Sequence, residues 1–367
     1  MIAPQPVIFE PIYQARPWGG RRLADRLGKV LPADAPIGES WELSGLPGAE
    51  SRVREGELAG RRLGELVAAW GRGLLGGAEL IAGRFPLLIK FLDARETLSV
   101  QVHPRPEAAA PGEHKNEAWY IVDAAEGSEV WIGLRPGVTP EQLARAAGSA
   151  AIVELLQRWP ARPGRCYYLP SGVPHALGAG VVLAEVQTPA DVTYRLYDWD
   201  RVGLDGRARP LHVAEGLAHA RGDVPADMIL QPRSHAGGVW STVTRLVRCE
   251  SFMIDKVRLA AGAAQGLPYC EMAVWIVLSG RGALLRNDRR WTFSRGDVVL
   301  IPAVSADILV QTDEPAEWLE VRLPVASSLA GLPRPEPDAP PPTGRGPTPL
   351  TRGGGPVDGR GEGDERS

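Results

Sequence analysis

The chain has 367 residues, 41 basic against 44 acidic side chains and a formal charge of −3, which excludes the broad basic surface that nucleic acid or an anionic membrane requires. With 44% hydrophobic residues it can fill real cores, so a wholly disordered chain is excluded too. Cys166, Cys249 and Cys270 are odd in number and widely spaced, fitting small buried hydrophobes better than a disulfide framework or a cysteine-rich zinc module.

In chain order, the opening MIAPQPVIFEPIY lacks the basic-then-apolar pattern of a secretory signal. No run reaches the ~18 uncharged apolar residues of a membrane span, so a cytoplasmic protein is expected. Gly19-Gly20 permits close backbone approach but is not followed by a phosphate-loop pattern. In residues 59–75, Leu63, Leu66, Val67 and Trp70 recur at helical spacing, predicting a helical insertion over about 59–83. Strands are expected at 85–93, 97–103, 117–124 and 128–134. Thr139-Pro140-Glu141-Gln142 is a capping box with Pro at the first helical position, predicting a second insertion that runs to about Trp159. Strands resume at 166–170 and 181–188. A polar, Gly-containing stretch then suggests a helical or irregular connection over 216–240, before further strands at 274–285 and 297–303. From about Leu332 the chain is Pro- and Gly-rich with almost nothing apolar, predicting a disordered tail over 329–367; a Pro-rich ligand for a partner module is the other reading. The fold class is therefore mainly β, with a domain over 1–215 and another over 241–328.

Two of the six histidines stand in suggestive settings. Alternation puts Ser99, Gln101 and His103 on one strand face and Leu98, Val100 and Val102 on the other. The polar row either lines a cavity or faces solvent on an ordinary amphipathic strand. The second setting, Gly164-x5-Pro170-x-Gly172-x2-His175, turns a tight corner that delivers His175 to the next strand. It resembles the second motif of the cupin superfamily, jelly-roll barrels whose histidines bind a divalent metal. Between them, Glu117 opens an apolar strand. Alone it would be a solvated strand end; with His103 and His175 it makes a His2Glu set that Zn²⁺ accepts, and Gln101 can add a carbonyl oxygen. His114 and His212 lie in no ligand spacing. GDVVLIPAVSAD (296–307) repeats the Gly-x5-Pro skeleton with Val304 and Asp307 at the motif's Gly and His positions, so a second cupin-like jelly roll without metal is expected.

IGESWELSG, FPLLIKFLDARETLSVQVHP, HKNEAWYIVDA, YLPSGVPHALGAGVVLAEVQTPADVTYRLYDWDR and RPLHVAE, in this order across roughly residues 8–325, resemble the shorter bacterial form of the type I mannose-6-phosphate isomerase (phosphomannose isomerase) family. The resemblance implies an enzyme that interconverts mannose 6-phosphate and fructose 6-phosphate through a cis-enediol, with one zinc per chain. The family's zinc ligands fall on Gln101, His103, Glu117 and His175, and its catalytic arginine on Arg195. Lys115, Ser99 and Glu185 also match active-site positions, with Glu185 a candidate proton carrier. Trp18 and Glu42 belong to motifs that the resemblance places near the substrate mouth. Plainer readings stand beside these: Lys115 as a solvated loop residue, Arg195 as an ion-pair partner of Asp198 or Asp200, and Trp18 as core. Only four lysines occur, so Lys115, two residues before Glu117, is harder to take for ordinary surface charge. The implied partner is a small sugar phosphate, and oligomeric state has no sequence signal. Competing functions are another cupin metalloenzyme, of the iron oxygenase type, and a non-enzymatic sugar-phosphate-binding cupin.

Overall fold

In the computed structural model, which describes residues 2–222, 224–267, 271–305 and 307–324, the β-branched and aromatic segments form antiparallel strands in two sheet pairs of jelly-roll type. The expected tail, 329–367, and Cys270 lie outside the described residues. No helix among them is long and apolar enough to cross a membrane.

The first pair joins a six-stranded sheet to a five-stranded one. The six-stranded sheet runs Cys166–Leu169, Glu117–Ala124, Val181–Gln187, Leu88–Ala94, Ile12–Gly20 and Ile37–Leu43. The five-stranded sheet runs Leu156–Pro160, Glu129–Leu134, His175–Leu177, Val100–Val102 and Tyr194–Tyr197. The space between them holds an apolar cluster with Trp18, Leu92, Trp119, Ile121, Leu177 and Leu183. The second pair is a seven-stranded and a four-stranded sheet, filled by Trp275, Trp318 and Phe293, with the two indoles stacked at 4.4 Å between centroids.

A third core lies at the back of the six-stranded sheet. Ile89, Phe91, Ala118, Tyr120, Tyr168 and Ala184 pack there with Ile254, Val274 and Leu319 of the seven-stranded sheet and with Phe252 from a turn beside it. The central strands of the six-stranded sheet are thus buried on both faces, and Leu88–Ala94 is buried at every position. Such a strand reads as a continuous apolar run, which hides the face its few polar residues occupy.

Several elements depart from expectation. The helix from Thr139 ends at Ala146, because Ala147 turns extended; a 3₁₀ turn, Ala150–Leu155, and a strand, Leu156–Pro160, follow. The first insertion is two short helices, Leu63–Trp70 and Arg72–Leu75, broken at Gly71. The expected strand 274–285 is two, Ala273–Ser279 and Arg281–Arg286. Gly280 between them has φ +80°, and a Cβ there would meet Pro315 O at 2.4 Å. Within 216–240, helices Val213–His219 and Ala226–Ile229 lead to Ser234–Gly237, already the edge strand of the seven-stranded sheet. Val7–Ile8 crosses to pair with Val298–Ile301, so the chain's first strand belongs to the second sheet pair.

Candidate metal centre and active site

Strand register assembles the site. On the six-stranded sheet Glu185 lies opposite Lys90 on one neighbour and Trp119 on the other, so the three form a row across the sheet. On the five-stranded sheet Gln101 lies opposite both His175 and Arg195, a second row. Directly opposed residues share a face, so the register collects polar groups from distant segments. Val100 and Val102 are fully buried in a separate cluster with Leu143 and Leu196 on the outer face. Ser99 and His103 are buried as well, so the row of Ser99, Gln101 and His103 lines the interior and does not face solvent.

Each histidine is held by its far nitrogen. His103 Nδ1 lies 2.8 Å from Val192 O and His175 Nδ1 2.8 Å from Val173 O, so each Nδ1 carries the proton and each Nε2 keeps its lone pair for the interior. The corner that delivers His175 depends on Gly172, at φ +86°, where a Cβ would meet Arg105, Arg221 and His219 O at 2.7 Å. Gly172 N–H donates to His103 O at 3.0 Å, tying the two histidines' backbones together.

The Nε2 atoms converge on Glu117, whose Oε2 is 3.3 Å from His103 and 3.5 Å from His175. Two ligands held by one tetrahedral Zn²⁺ at 2.0–2.1 Å would stand about 3.4 Å apart. His103, Glu117 and His175 offer ligand atoms all within 4.8 Å of one another, the one such group of three among the described residues. Burial lowers both imidazoles, His175 to about 3, so they stay neutral. Burial alone would raise Glu117, but Lys115 and His103 hold it well below the carboxylate range. Two neutral imidazoles and one carboxylate are the protonation states that a divalent cation needs. Glu117 Oε2 is buried without a hydrogen-bond donor, an arrangement that a cation satisfies. Gln101 Nε2 lies 3.1 Å from His175 Nε2, and turning the amide over would present its oxygen to the same point. The donor set fits zinc.

Lys115 is buried, pairs with Glu117 Oε1 and lies 3.4 Å from His103 Nε2, so it is no solvated loop residue. Burial would lower its ammonium, but Glu117, Glu185 and Asp191 prevail and raise it, so it stays protonated. Glu185 is also buried; Trp119 Nε1 donates to its Oε2 at 3.0 Å and Lys90 Nζ is 3.6 Å from its Oε1. Burial and the nearby Glu117 push its carboxyl up to about 7. Ser99 Oγ donates to Gln101 Oε1 at 3.5 Å. Arg195 is half-buried, and its Nε has no hydrogen-bond partner. Its expected partners are otherwise engaged: Asp198 takes Arg209 through both oxygens, at 2.5 and 2.7 Å, and Asp200 accepts from the Tyr197 hydroxyl at 3.2 Å.

Two expectations need correction. Trp18 is 3% exposed inside the apolar cluster between the sheets, with no ring face open to a sugar; it is a core residue. Glu42 lies on the opposite strand face from Glu39, where it takes Lys29 at 2.7 Å and Ser40 at 2.6 Å, and Lys29 sits over Phe91 in the back core. Glu39 is the residue that meets the site. It accepts from Arg16 at 2.9 and 3.3 Å and from Trp41 Nε1 at 2.7 Å, and its carboxylate is 3.9 Å from Lys90 Nζ. Burial opposes the charge, yet Lys90 and Arg16 bring Glu39 down to about 2. Lys90 also reaches Asp191 at 3.4 Å. Sequence reasoning missed Arg16, Glu39, Lys90 and Asp191. Its one available signal was a lone lysine inside the apolar run FPLLIKFLD.

A model of the phosphomannose isomerase type I catalytic domain matches residues 7–139. Mannose-6-phosphate isomerase ManA of Bacillus subtilis (strain 168) is 35% identical over 304 residues, covering 81% of this chain and 93% of that protein. A crystal structure of mannose 6-phosphate isomerase from Bacillus subtilis superposes with a TM-score of 0.78 at 30% identity, covering 87% of this chain and all of that one. A mannose 6-phosphate isomerase solved with zinc and yttrium shares the fold at 18% identity and a TM-score of 0.67, covering 88% of this chain and all of that one.

Proposed function

The chain belongs to the type I phosphomannose isomerase family, and from that premise we propose a zinc-dependent exchange of D-mannose 6-phosphate with D-fructose 6-phosphate through a cis-enediol. The observation that carries the proposal is the convergence of His103 and His175 on Glu117 beside Lys115, Glu185 and Arg195.

Gln101, His103, Glu117 and His175 would hold the zinc, which supplies Lewis-acid polarisation of the sugar's oxygens. In support, the fold is shared with a mannose 6-phosphate isomerase solved with zinc. The remaining work falls to protein side chains. In the open-chain aldose, the Glu185 carboxylate takes the C2 proton, leaving the cis-enediolate with its charge on O1; the hydroxyl proton passes from O2 to O1, and Glu185 returns its proton to C1 as the C2 carbonyl forms, giving the ketose. A carboxyl near 7 suits both halves, since each form is populated at neutral pH. Lys115, held protonated, stabilises negative charge as it develops on the sugar oxygens. The Arg195 guanidinium, not ion-paired with either neighbouring aspartate, orients the substrate and meets its anionic charge, and Ser99 adds a hydroxyl. A cytoplasmic setting, where phosphorylated sugars are made and used, completes the proposal.

A coupled assay for fructose 6-phosphate formed from mannose 6-phosphate tests it, with chelator and then with zinc restored. Turnover should vanish and return; no turnover in the zinc-loaded protein would overturn the reading and favour a binding role.

A further inference from the structure

Asn116 stands between Lys115 and Glu117 in the chain, yet its side chain turns away from the site and is 3% exposed. All four of its amide's hydrogen-bonding positions are filled. Oδ1 accepts from Ser171 N at 2.8 Å and Ser171 Oγ at 3.0 Å. Nδ2 donates to Ser251 Oγ at 3.0 Å and Glu250 Oε1 at 3.3 Å. The Ser171 backbone N–H can only donate, which fixes the amide's orientation. The backbone is held as firmly: Asn116 N donates to Thr188 Oγ1 at 3.2 Å, and Thr188 N donates back to Asn116 O at 3.1 Å.

These partners come from three places. Ser171 lies in the corner that delivers His175. Thr188 follows the strand that carries Glu185. Glu250 and Ser251 form the turn between Ser241–Arg248 and Met253–Leu259, strands of the seven-stranded sheet. That turn is itself anchored: Phe252 is fully buried and meets Tyr168 edge-on at 6.4 Å, and Tyr168 pairs opposite Ala118, next to Glu117.

We propose that Asn116 is a positioning residue of the metal centre, through which the turn 249–252 of the second sheet pair sets the spacing of Glu117 and His175. The proposal rests on the reading of His103, Glu117 and His175 as a metal centre. One amide ties the ligand next to it in sequence to the corner that presents another ligand, and to a turn outside the metal-side sheets. Loss of the amide strands a buried Ser171 N–H and lets the two ligands drift apart. The second sheet pair thereby takes part in the chemistry by holding the first in register.

The test uses the full-length chain, with zinc affinity read by chelator competition and kcat and KM read separately. Asn116→Ala should weaken zinc binding by about 10–100-fold, the usual cost of losing an outer-shell partner, and lower kcat while KM moves little. Glu250→Ala with Ser251→Ala, which leaves the Ser171 bonds intact, should move both in the same direction by less. Asn116→Asp sets two carboxylates together and should be as poor as the alanine; adding Glu250→Gln restores a donor and should recover most of the loss. Zinc affinity and kcat both at wild-type level in Asn116→Ala would overturn the proposal. If that variant does not fold, the same outcome in the Glu250 and Ser251 pair overturns it. A wild-type protein that turns over without holding zinc would instead overturn the metal reading, and the proposal with it.

Discussion

His175 and Gln101 face each other across paired antiparallel strands, their Nε2 atoms 3.1 Å apart although 74 residues separate them in the chain. The strand Val100–Val102, which His103 follows, thereby brings two candidate ligands to a third, and Glu117 comes from the opposing sheet. Each ligand rests on a strand or a strand corner, which holds it more firmly than a loop would.

His103→Ala and His175→Ala should each lower the zinc bound per chain, because each removes one of the four proposed ligands. The thermal midpoint should then become insensitive to added zinc, as expected when the folded state no longer binds it preferentially. Metal analysis and melting curves with and without zinc check this; unchanged stoichiometry in both variants would remove the site.

Lys115→Met should separate metal binding from turnover. The ammonium shares Glu117 with the metal and repels it, so its removal should leave zinc affinity equal or tighter. Turnover should still drop about 100-fold or more, the loss expected for one preorganised charge at the reacting oxygens. Weaker zinc binding would mean that Lys115 supports the ligand geometry instead.

Arg195→Lys should cost at least about tenfold in kcat/KM, since an ammonium cannot reproduce the planar fork of a guanidinium. Full turnover in this variant would end the orienting role.

Glu185 sets a pH prediction. Its folded carboxyl titrates near 7, above the ordinary 4.5. As the base it must be ionised, so kcat should rise with pH through about 7, and Glu185→Gln should lose that inflection along with roughly 100-fold or more of rate. The stability effect has the opposite sense. Between 4.5 and 7 the folded state holds a proton that the unfolded state has released, so the metal-free protein should lose stability as pH rises across that window. Denaturant midpoints at several pH values, compared with Glu185→Gln, check the slope.

Lys90→Met should destabilise the protein by about 3 kcal/mol or more, because it leaves Glu39 and Glu185 buried without their shared cation. The Glu185 inflection should move upward as well, since Lys90 helps to hold that carboxyl down. A melting point equal to wild type would place the two carboxylates in better solvation than their burial implies.

Much of this site was legible from the chain. His103 shows in the alternation of its strand and His175 in its corner, which Gly172 marks through a conformation that other residues rarely adopt; Glu117, an ordinary strand end by itself, shows only beside those two. Lys115 and Glu185 came through the family resemblance. Trp18 did not follow: its motif gave no sign of which face the ring would take, and the ring is in the core. Glu42 and Glu39 show the same difficulty, being three residues apart on one strand and therefore on opposite faces.

By itself, then, the sequence determined the β class, most strand positions, the corner and the residue types gathered for a metal and an anion, because these depend on local alternation, turn chemistry and spacing. Tertiary structure decided the rest. Alternation divides a strand into two faces, but where the second sheet pair covers the back of the first both faces are buried, and polarity no longer shows which one is the interior. Lys90 and Glu39 became site residues, Glu42 a partner of Lys29, and Asn116 the tie to a turn more than a hundred residues away, only once the sheets were packed.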